Sequence, residues 1–244
     1  MQTITPNTVK KTSPTENRAY ILLDRSGSMA EGNLIDEAVT GTNVYVQALS
    51  QDFSVVVATF DSYSYDVIRD CLRQDWKNIE PGEVIPRAST PLFDSAAKLI
   101  RQALEETPKK AVLVVITDGW ENTSQETNKD QILSLVEKFK ANQWEVIFIG
   151  ANFDKIDRQA TQMGVQASRS INVGTKNMAP GSFTRAASTL GAKTRLYASG
   201  TVYDEKAMDW TVAETAFVAQ GADLMAAQQP SLNAQSILFG TAKI

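Results

Sequence analysis

Short apolar runs rich in β-branched residues recur along the first 150 positions: AYILLD (19–24), FSVVVATF (53–60), AVLVVITD (111–118) and WEVIFIG (144–150). None alternates strictly between apolar and polar, so each predicts a strand covered on both faces. The stretches between them, 33–50, 90–106 and 128–142, have helical character. In the last, Ile132, Leu135, Val136 and Phe139 recur at three- and four-residue spacing and make one apolar stripe. A further helix (153–164), a strand (167–173) and a closing helix (181–197) extend the series. Strand alternating with helix predicts an α/β fold, a doubly wound, mostly parallel six-stranded sheet with helices on both faces. One connection breaks the rhythm. Between the run ending at Phe60 and the apolar run 66–72 lie only residues 61–65, too few for a crossover helix. That pair is expected to be antiparallel, which puts one reversed strand in the sheet.

The ends of the chain differ from this middle. Residues 1–17, rich in Thr, Pro, Asn and Lys, read as a flexible leader, and 18–198 as the domain. Residues 199–244 read as a C-terminal extension, Ala-rich, with Met208, Val212 and Phe217 at roughly helical spacing. The first residues contain no apolar signal core and no run is long enough to cross a bilayer, so the expected compartment is cytoplasmic.

Composition narrows the chemistry mainly through what is missing. The 244 residues are 43% apolar, enough for a full core, and 24 basic against 28 acidic side chains leave a net charge of −4. No basic patch suggests nucleic-acid binding through bulk charge. There is no histidine, and Cys71 is the one cysteine. Histidine-dependent triads, imidazole ligands, thiolate zinc sites and internal disulfides are therefore excluded. Any metal must sit among oxygens, which selects a hard divalent cation.

Such oxygens occur where strands end. The first strand runs into ILLDRSGSM (21–29), in which Asp24, Ser26 and Ser28 alternate and so face one way if the loop stays extended. Arg25 and Gly27 then point elsewhere. A second strand ends at Thr117-Asp118-Gly119, and Thr90 precedes a helix in STPLFD. Ligands in doubly wound sheets collect beyond the carboxyl ends of the strands, where the winding reverses, and there all five would converge. Plainer readings stand beside this one. Ser28 and Thr90 could cap the helices that follow them, and Asp118 could be a turn residue. Asp61 follows its strand as Asp24 and Asp118 do and reads as a solvated turn residue, with a supporting place beside the site as the alternative, and Asp94 reads as support for a helix start. Trp120 reads either as a contact anchor in the rim loop or as half-buried packing.

In motif order and element order, Asp24-x-Ser26-x-Ser28, Thr90-Pro91-Leu92 and Thr117-Asp118-Gly119 resemble the von Willebrand factor A (VWA) domain and its metal-ion-dependent adhesion site (MIDAS). The resemblance spans about residues 18–198 and implies a Rossmann-like sheet with one antiparallel edge strand. It implies that Ser26, Ser28 and Thr90 coordinate a divalent cation through their hydroxyls, with Asp24 and Asp118 holding it directly or through water. Mg²⁺ is the expected cation, with Mn²⁺ and Ca²⁺ as alternatives. The implied function is a cation-dependent protein–protein interaction module, an intracellular adaptor that takes an acidic residue of its partner. A MoxR-type AAA+ ATPase is one partner the resemblance permits. Trp120, Glu121 and Asn122 would form the partner-binding rim.

The alternative is an enzyme using metal-assisted phosphotransfer or hydrolysis on a Rossmann-like fold. A haloacid-dehalogenase mechanism needs a second acid two residues after the first, and Ser26 stands there. No phosphate-binding G-x-x-x-x-G-K-[ST] loop occurs. No general base stands among the motif residues, so no catalytic residue is assigned and the expectation is a non-enzyme. A further reading gives the extension a role, either in oligomerisation or in supplying an acid such as Asp209 or Glu214 to a neighbouring molecule's metal.

Overall fold

The computed structural model describes residue 12 and residues 16–151, 156–174, 178–179, 181–200 and 206–220. Its strands are β1 (Asn17–Asp24), β2 (Phe53–Phe60), β3 (Tyr65–Leu72), β4 (Lys110–Thr117), β5 (Glu145–Ala151) and β6 (Ser170–Val173). Its α-helices are α1 (Leu34–Ala48), α2 (Leu92–Glu106), α3 (Lys129–Ala141), α4 (Ile156–Gln162), α5 (Ser182–Ser199) and α6 (Val212–Gln220). The six strands form one sheet in the order β3-β2-β1-β4-β5-β6. Every neighbouring pair is parallel except β2 with β3, so the short 61–64 connection does make the reversed strand, and that strand lies at the edge.

Why these runs become this sheet follows from parity. Along β1, Ala19, Ile21 and Leu23 enter the core beneath α1 and α5, while Tyr20 and Leu22 enter the core beneath α2 and α3. Val55 and Val57 share the first layer, and Val56, Ala58 and Phe60 the second. A strand apolar on both sides must sit centrally between two helical layers, and β1, β2 and β4 are buried almost throughout. The edge strand β3 is mostly half-buried. Helix α3 begins with a capping box, Asn128 accepting from Gln131 N while the Gln131 side chain accepts from Asn128 N. Helices α1 and α5 pack closely because residue 191 is glycine, where an added Cβ would lie 2.5 Å from the Cβ of Ala48.

Part of the C-terminal extension belongs to this body. Met208, Trp210 and Val218 are buried in the core beneath α1 and α5, with Phe217 packed against them, whereas Val212 is exposed. Asp209 pairs with Arg169, and Lys193 holds Glu214 at 2.9 Å, so both acids are committed within the same chain. Residues 221–244, like most of the leader, lie outside the described residues.

The Lys193–Glu214 contact makes the docking of α6 pH-dependent. Burial raises the Glu214 carboxyl, but Lys193 and the Thr211 N–H outweigh it and hold its pKa below the usual 4.5. A depressed carboxyl pKa contributes stability that is full above 4.5 and lost as the pH falls through the folded value. Hydrogen-exchange protection of residues 212–220, corrected for intrinsic rates, is expected to fall more steeply below pH 4.5 in the wild type than in Glu214→Gln. Parallel pH profiles would remove this role for the pair.

Candidate metal centre

Strand β1 lies between β2 and β4, and the winding reverses there. The chain leaves β1 through α1 on one face to reach β2, then crosses through α2 on the other face to reach β4. The carboxyl ends of β1 and β4 therefore open a crevice, with Asp24 closing β1 and Asp118 immediately following β4. In this pairing Leu23 opposes Ile116, which puts Thr117 beside Asp24. The Thr117 hydroxyl donates to Asp24 Oδ2 at 2.6 Å, and Ser26 N donates to Asp24 Oδ1 at 2.7 Å. Both oxygens of a fully buried carboxylate are thus oriented by the protein.

The hydroxyls collect, although the segment is extended only as far as Ser26 and turns into a 3₁₀ helix at Gly27. Ser26 Oγ and Ser28 Oγ lie 3.3 Å apart, and Ser28 Oγ donates to Asp118 Oδ1 at 2.8 Å, joining the two strand ends. Thr90 arrives on the loop before α2. Its N–H donates to Asn122 Oδ1 (2.9 Å) and its carbonyl accepts from Asn122 N (3.2 Å). Its Oγ1 faces the turn after Asp118, 3.8 Å from where a Cβ on Gly119 would lie. Neither serine nor threonine acts as a helix cap. Ser28 lies in a 3₁₀ turn ahead of α1, and the first N–H groups of α2 are taken from outside, Phe93 N by Glu121 and Asp94 N by Ser124.

The electrostatics are those of an anionic pocket lacking a counter-charge. Burial pushes the Asp24 carboxyl up to about 7 against the hydrogen bonds from Thr117 and Ser26, and the charge on Asp118 adds to the rise. Burial also raises Asp118, opposed by Ser28 and reinforced by Glu31. Among the described residues no lysine or arginine pairs with either acid. The nearest guanidinium in sequence, Arg25, points away to Asp61 and Asp66. Two carboxylates and three hydroxyls, with the deepest acid buried and without an ion pair, are a donor set suited to a hard divalent cation.

The rim differs from the simplest reading of the motif. Glu121 is turned inward, accepting from Phe93 N, Thr123 N, Ser124 N and Ser124 Oγ at 2.7–2.9 Å. Asn122 holds Thr90, so both residues set the loop that surrounds the site. Trp120 is half-buried against the core beneath α2 and α3. Asp94 reaches back to accept from Gln125 N, Glu126 N and Thr127 N, tying the same loop to α2. Asp61 is not a solvated turn residue: it is 3% exposed, with Arg25 and Arg87 on one oxygen and two backbone N–H groups on the other. Sequence reading missed Thr117 as the partner of Asp24. Its position opposite that acid in a parallel pair is the signal that could have found it. A cavity of about 380 Å³, lined by Lys110, Trp144, Glu145, Arg169 and Tyr197 among others, lies at the opposite ends of β4 and β5 from this site.

No protein-family model and no curated protein matches the chain by sequence. Solved structures do match in fold. The ArnB paralog VWA2 from Sulfolobus acidocaldarius aligns at 15% identity over 75% of this chain and 46% of its own, with a TM-score of 0.51. A von Willebrand factor type A protein from Catenulispora acidiphila aligns at 14% identity over 74% of this chain and 43% of its own, TM-score 0.53. The pilus adhesin SpaC from Lactobacillus rhamnosus GG aligns at 10% identity over 79% of this chain and 31% of its own, TM-score 0.56. The chain spans less than half the length of each of these structures. Five parallel strands, one antiparallel edge strand and two helical layers, taken with these likenesses, give this chain the von Willebrand factor A fold.

Proposed function

We propose that the chain is a protein-interaction module whose binding depends on a divalent cation held at the carboxyl ends of β1 and β4. Ser26, Ser28 and Thr90 would supply hydroxyls, and Asp24 and Asp118 carboxylates. When bound, the cation supplies an electrophilic position for a carboxylate from the partner. The observation that carries this reading is Asp24, a fully buried acid with oriented oxygens and no ion pair among the described residues, facing a second acid across hydroxyl groups. Mg²⁺ suits the all-oxygen set, with Mn²⁺ and Ca²⁺ as competitors. A binding role is favoured over catalysis because the donors open on a rim where Ser28 is solvent-accessible. That one structural neighbour is a pilus adhesin agrees with an interaction role at the level of the fold.

The test is affinity capture from the native extract with Mg²⁺, with chelator, and with Asp24→Ala, paired with Mn²⁺ titration of the purified chain. We expect saturable Mn²⁺ binding, and a partner retained only by the wild type with Mg²⁺; a MoxR-type AAA+ ATPase is a defined candidate to add directly. A partner captured equally in all three conditions, or no Mn²⁺ binding at millimolar concentration, overturns the reading. Mg²⁺-dependent hydrolysis of a generic phosphomonoester, lost in Asp24→Ala, would instead establish the enzyme alternative.

A further inference from the structure

The residue between the first two motif donors, Arg25, has its own task. Its backbone bridges neighbouring segments, with Arg25 N donating to Phe60 O (3.0 Å) and Arg25 O accepting from Arg87 N (2.8 Å). Its side chain turns away from the metal-facing side and donates through Nε to Asp61 Oδ2 at 2.7 Å, with Nη2 bonded to Ser64 Oγ and Asp66. Arg87, from the loop that carries Thr90, repeats the pattern. Its Nε donates to the same Asp61 Oδ2 at 2.8 Å and its Nη2 to the same Ser64 Oγ at 2.8 Å. Asp61 Oδ1 meanwhile accepts from Tyr63 N and Ser64 N, which fixes the turn that presents the carboxylate.

Two backbone contacts and one to a side-chain hydroxyl continue the join towards Thr90. Gly27 N donates to Ala88 O at 3.0 Å, Ser62 N to Ser89 O at 3.0 Å, and Ser89 N to Ser62 Oγ at 3.2 Å. Ala88 adopts φ +61°, a left-handed conformation unfavourable for alanine. A loop held in that state needs external contacts, and the Asp61 cluster provides them. Two guanidinium groups facing Asp61 and Asp66 balance in charge, so the cluster binds two loops without adding net charge beside the site.

We infer that Asp61, shared by Arg25 and Arg87, is a positioning residue that sets the Thr90 loop against the Asp24–Ser28 loop and so assembles the five donors. Among the described residues no hydrogen bond joins the side chain of either arginine or of Asp61 to a donor side chain; each acts through the backbone it holds. The inference rests on the metal-site reading for its purpose but on these contacts for its geometry, and the two can fail separately.

The experiment uses the full chain and three variants, Asp61→Asn, Arg87→Met and Arg87→Lys. Two quantities are read: Mn²⁺ affinity, and hydrogen-exchange protection of the Gly27, Ser62 and Arg87 amides in metal-free protein. Arg87→Met removes one arm from a partly exposed position, so it keeps the test open if Asp61→Asn does not fold. We expect Asp61→Asn and Arg87→Met to lower both readouts by about tenfold or more while core β1 and β4 amides keep their protection, with Arg87→Lys between Met and wild type. Wild-type Mn²⁺ affinity in both disruptive variants overturns the positioning role. Equal loss of protection in β1 and β4 reduces the cluster to a general stabilising one and also overturns it. Absence of Mn²⁺ binding by the wild type overturns the metal reading, and with it the purpose given to Asp61.

Discussion

Asp24→Asn is expected to weaken divalent-cation binding by about 100-fold or more while leaving the metal-free protein at least as stable as the wild type. The first part follows from the donor count. Removing a group that only orients a ligand already costs about 10–100-fold in metal affinity, and here a charged donor itself is removed. The second part runs against the usual effect of changing a buried polar residue. Asp24 is fully buried, its carboxyl is raised to about 7, and no lysine or arginine faces it among the described residues. Without a cation, its charge is a cost that folding must bear. Asparagine keeps a carbonyl for Ser26 N, and its amide can donate to the Thr117 hydroxyl, so the hydrogen bonds persist without the charge. Mn²⁺ titration and urea unfolding in chelator at pH 7.5 measure the two parts. A variant that retains Mn²⁺ affinity, or loses more than about 1 kcal/mol of metal-free stability, contradicts the account.

At the other end of the sheet the expected result has the opposite sign. Arg18→Ala should destabilise the fold by about 3–5 kcal/mol, read as a shift of the urea midpoint at neutral pH. Arg18 is fully buried at the start of β1. Its Nη1 donates to Ser54 Oγ (2.9 Å), its Nη2 meets Asp70 Oδ1 (2.9 Å), and its Nε lies 2.8 Å from Glu106 Oε2. The Tyr20 hydroxyl donates to the same Glu106 oxygen at 2.7 Å, and the Tyr20 ring lies 5.6 Å beneath the guanidinium. Truncating Arg18 strands two buried carboxylates, and that penalty exceeds the value of any single bond in the cluster. Replacing the whole set with Arg18→Met, Asp70→Leu and Glu106→Leu should recover most of the loss, because no charge is then left unpaired. If the single and triple variants are equally unstable, stranded charge is not the cause.

The two clusters also show where sequence reading stops. Asp24 and Ser26 were legible because strand alternation is a local rule, and Asp118 because it too ends an apolar run, whereas Ser28 comes beside them through a 3₁₀ turn that the alternation does not describe. Arg18 gave no signal, since a charged residue at the head of a strand looks like the start of a loop. Its burial depends on Asp70, 52 positions away, and on Glu106 at the far end of α2. Asp61 was legible only as the lesser of two readings, for a related reason. A five-residue turn containing Asp, Ser and Tyr is ordinarily wet, and only the arrival of Arg25 and Arg87 on one oxygen buries it. The extension was part legible. Helical spacing beyond residue 199 was visible, but Met208 and Val218 enter the core while Val212 faces solvent.

The sequence alone determined the alternation of strand and helix, the one reversed strand, and an oxygen-only character for any metal site. These depend on side-chain period, on connection length and on which residue types are present, all of which are local or compositional. Tertiary structure decided which oxygens meet, through the winding reversal beside β1 and the parallel pairing that sets Thr117 on Asp24. It also decided which charges are neutralised. Arg25 lies next to Asp24 in the chain but gives its charge to Asp61 and Asp66, because alternate residues of an extended segment face opposite ways. That turn of the backbone leaves Asp24 buried without an ion pair among the described residues.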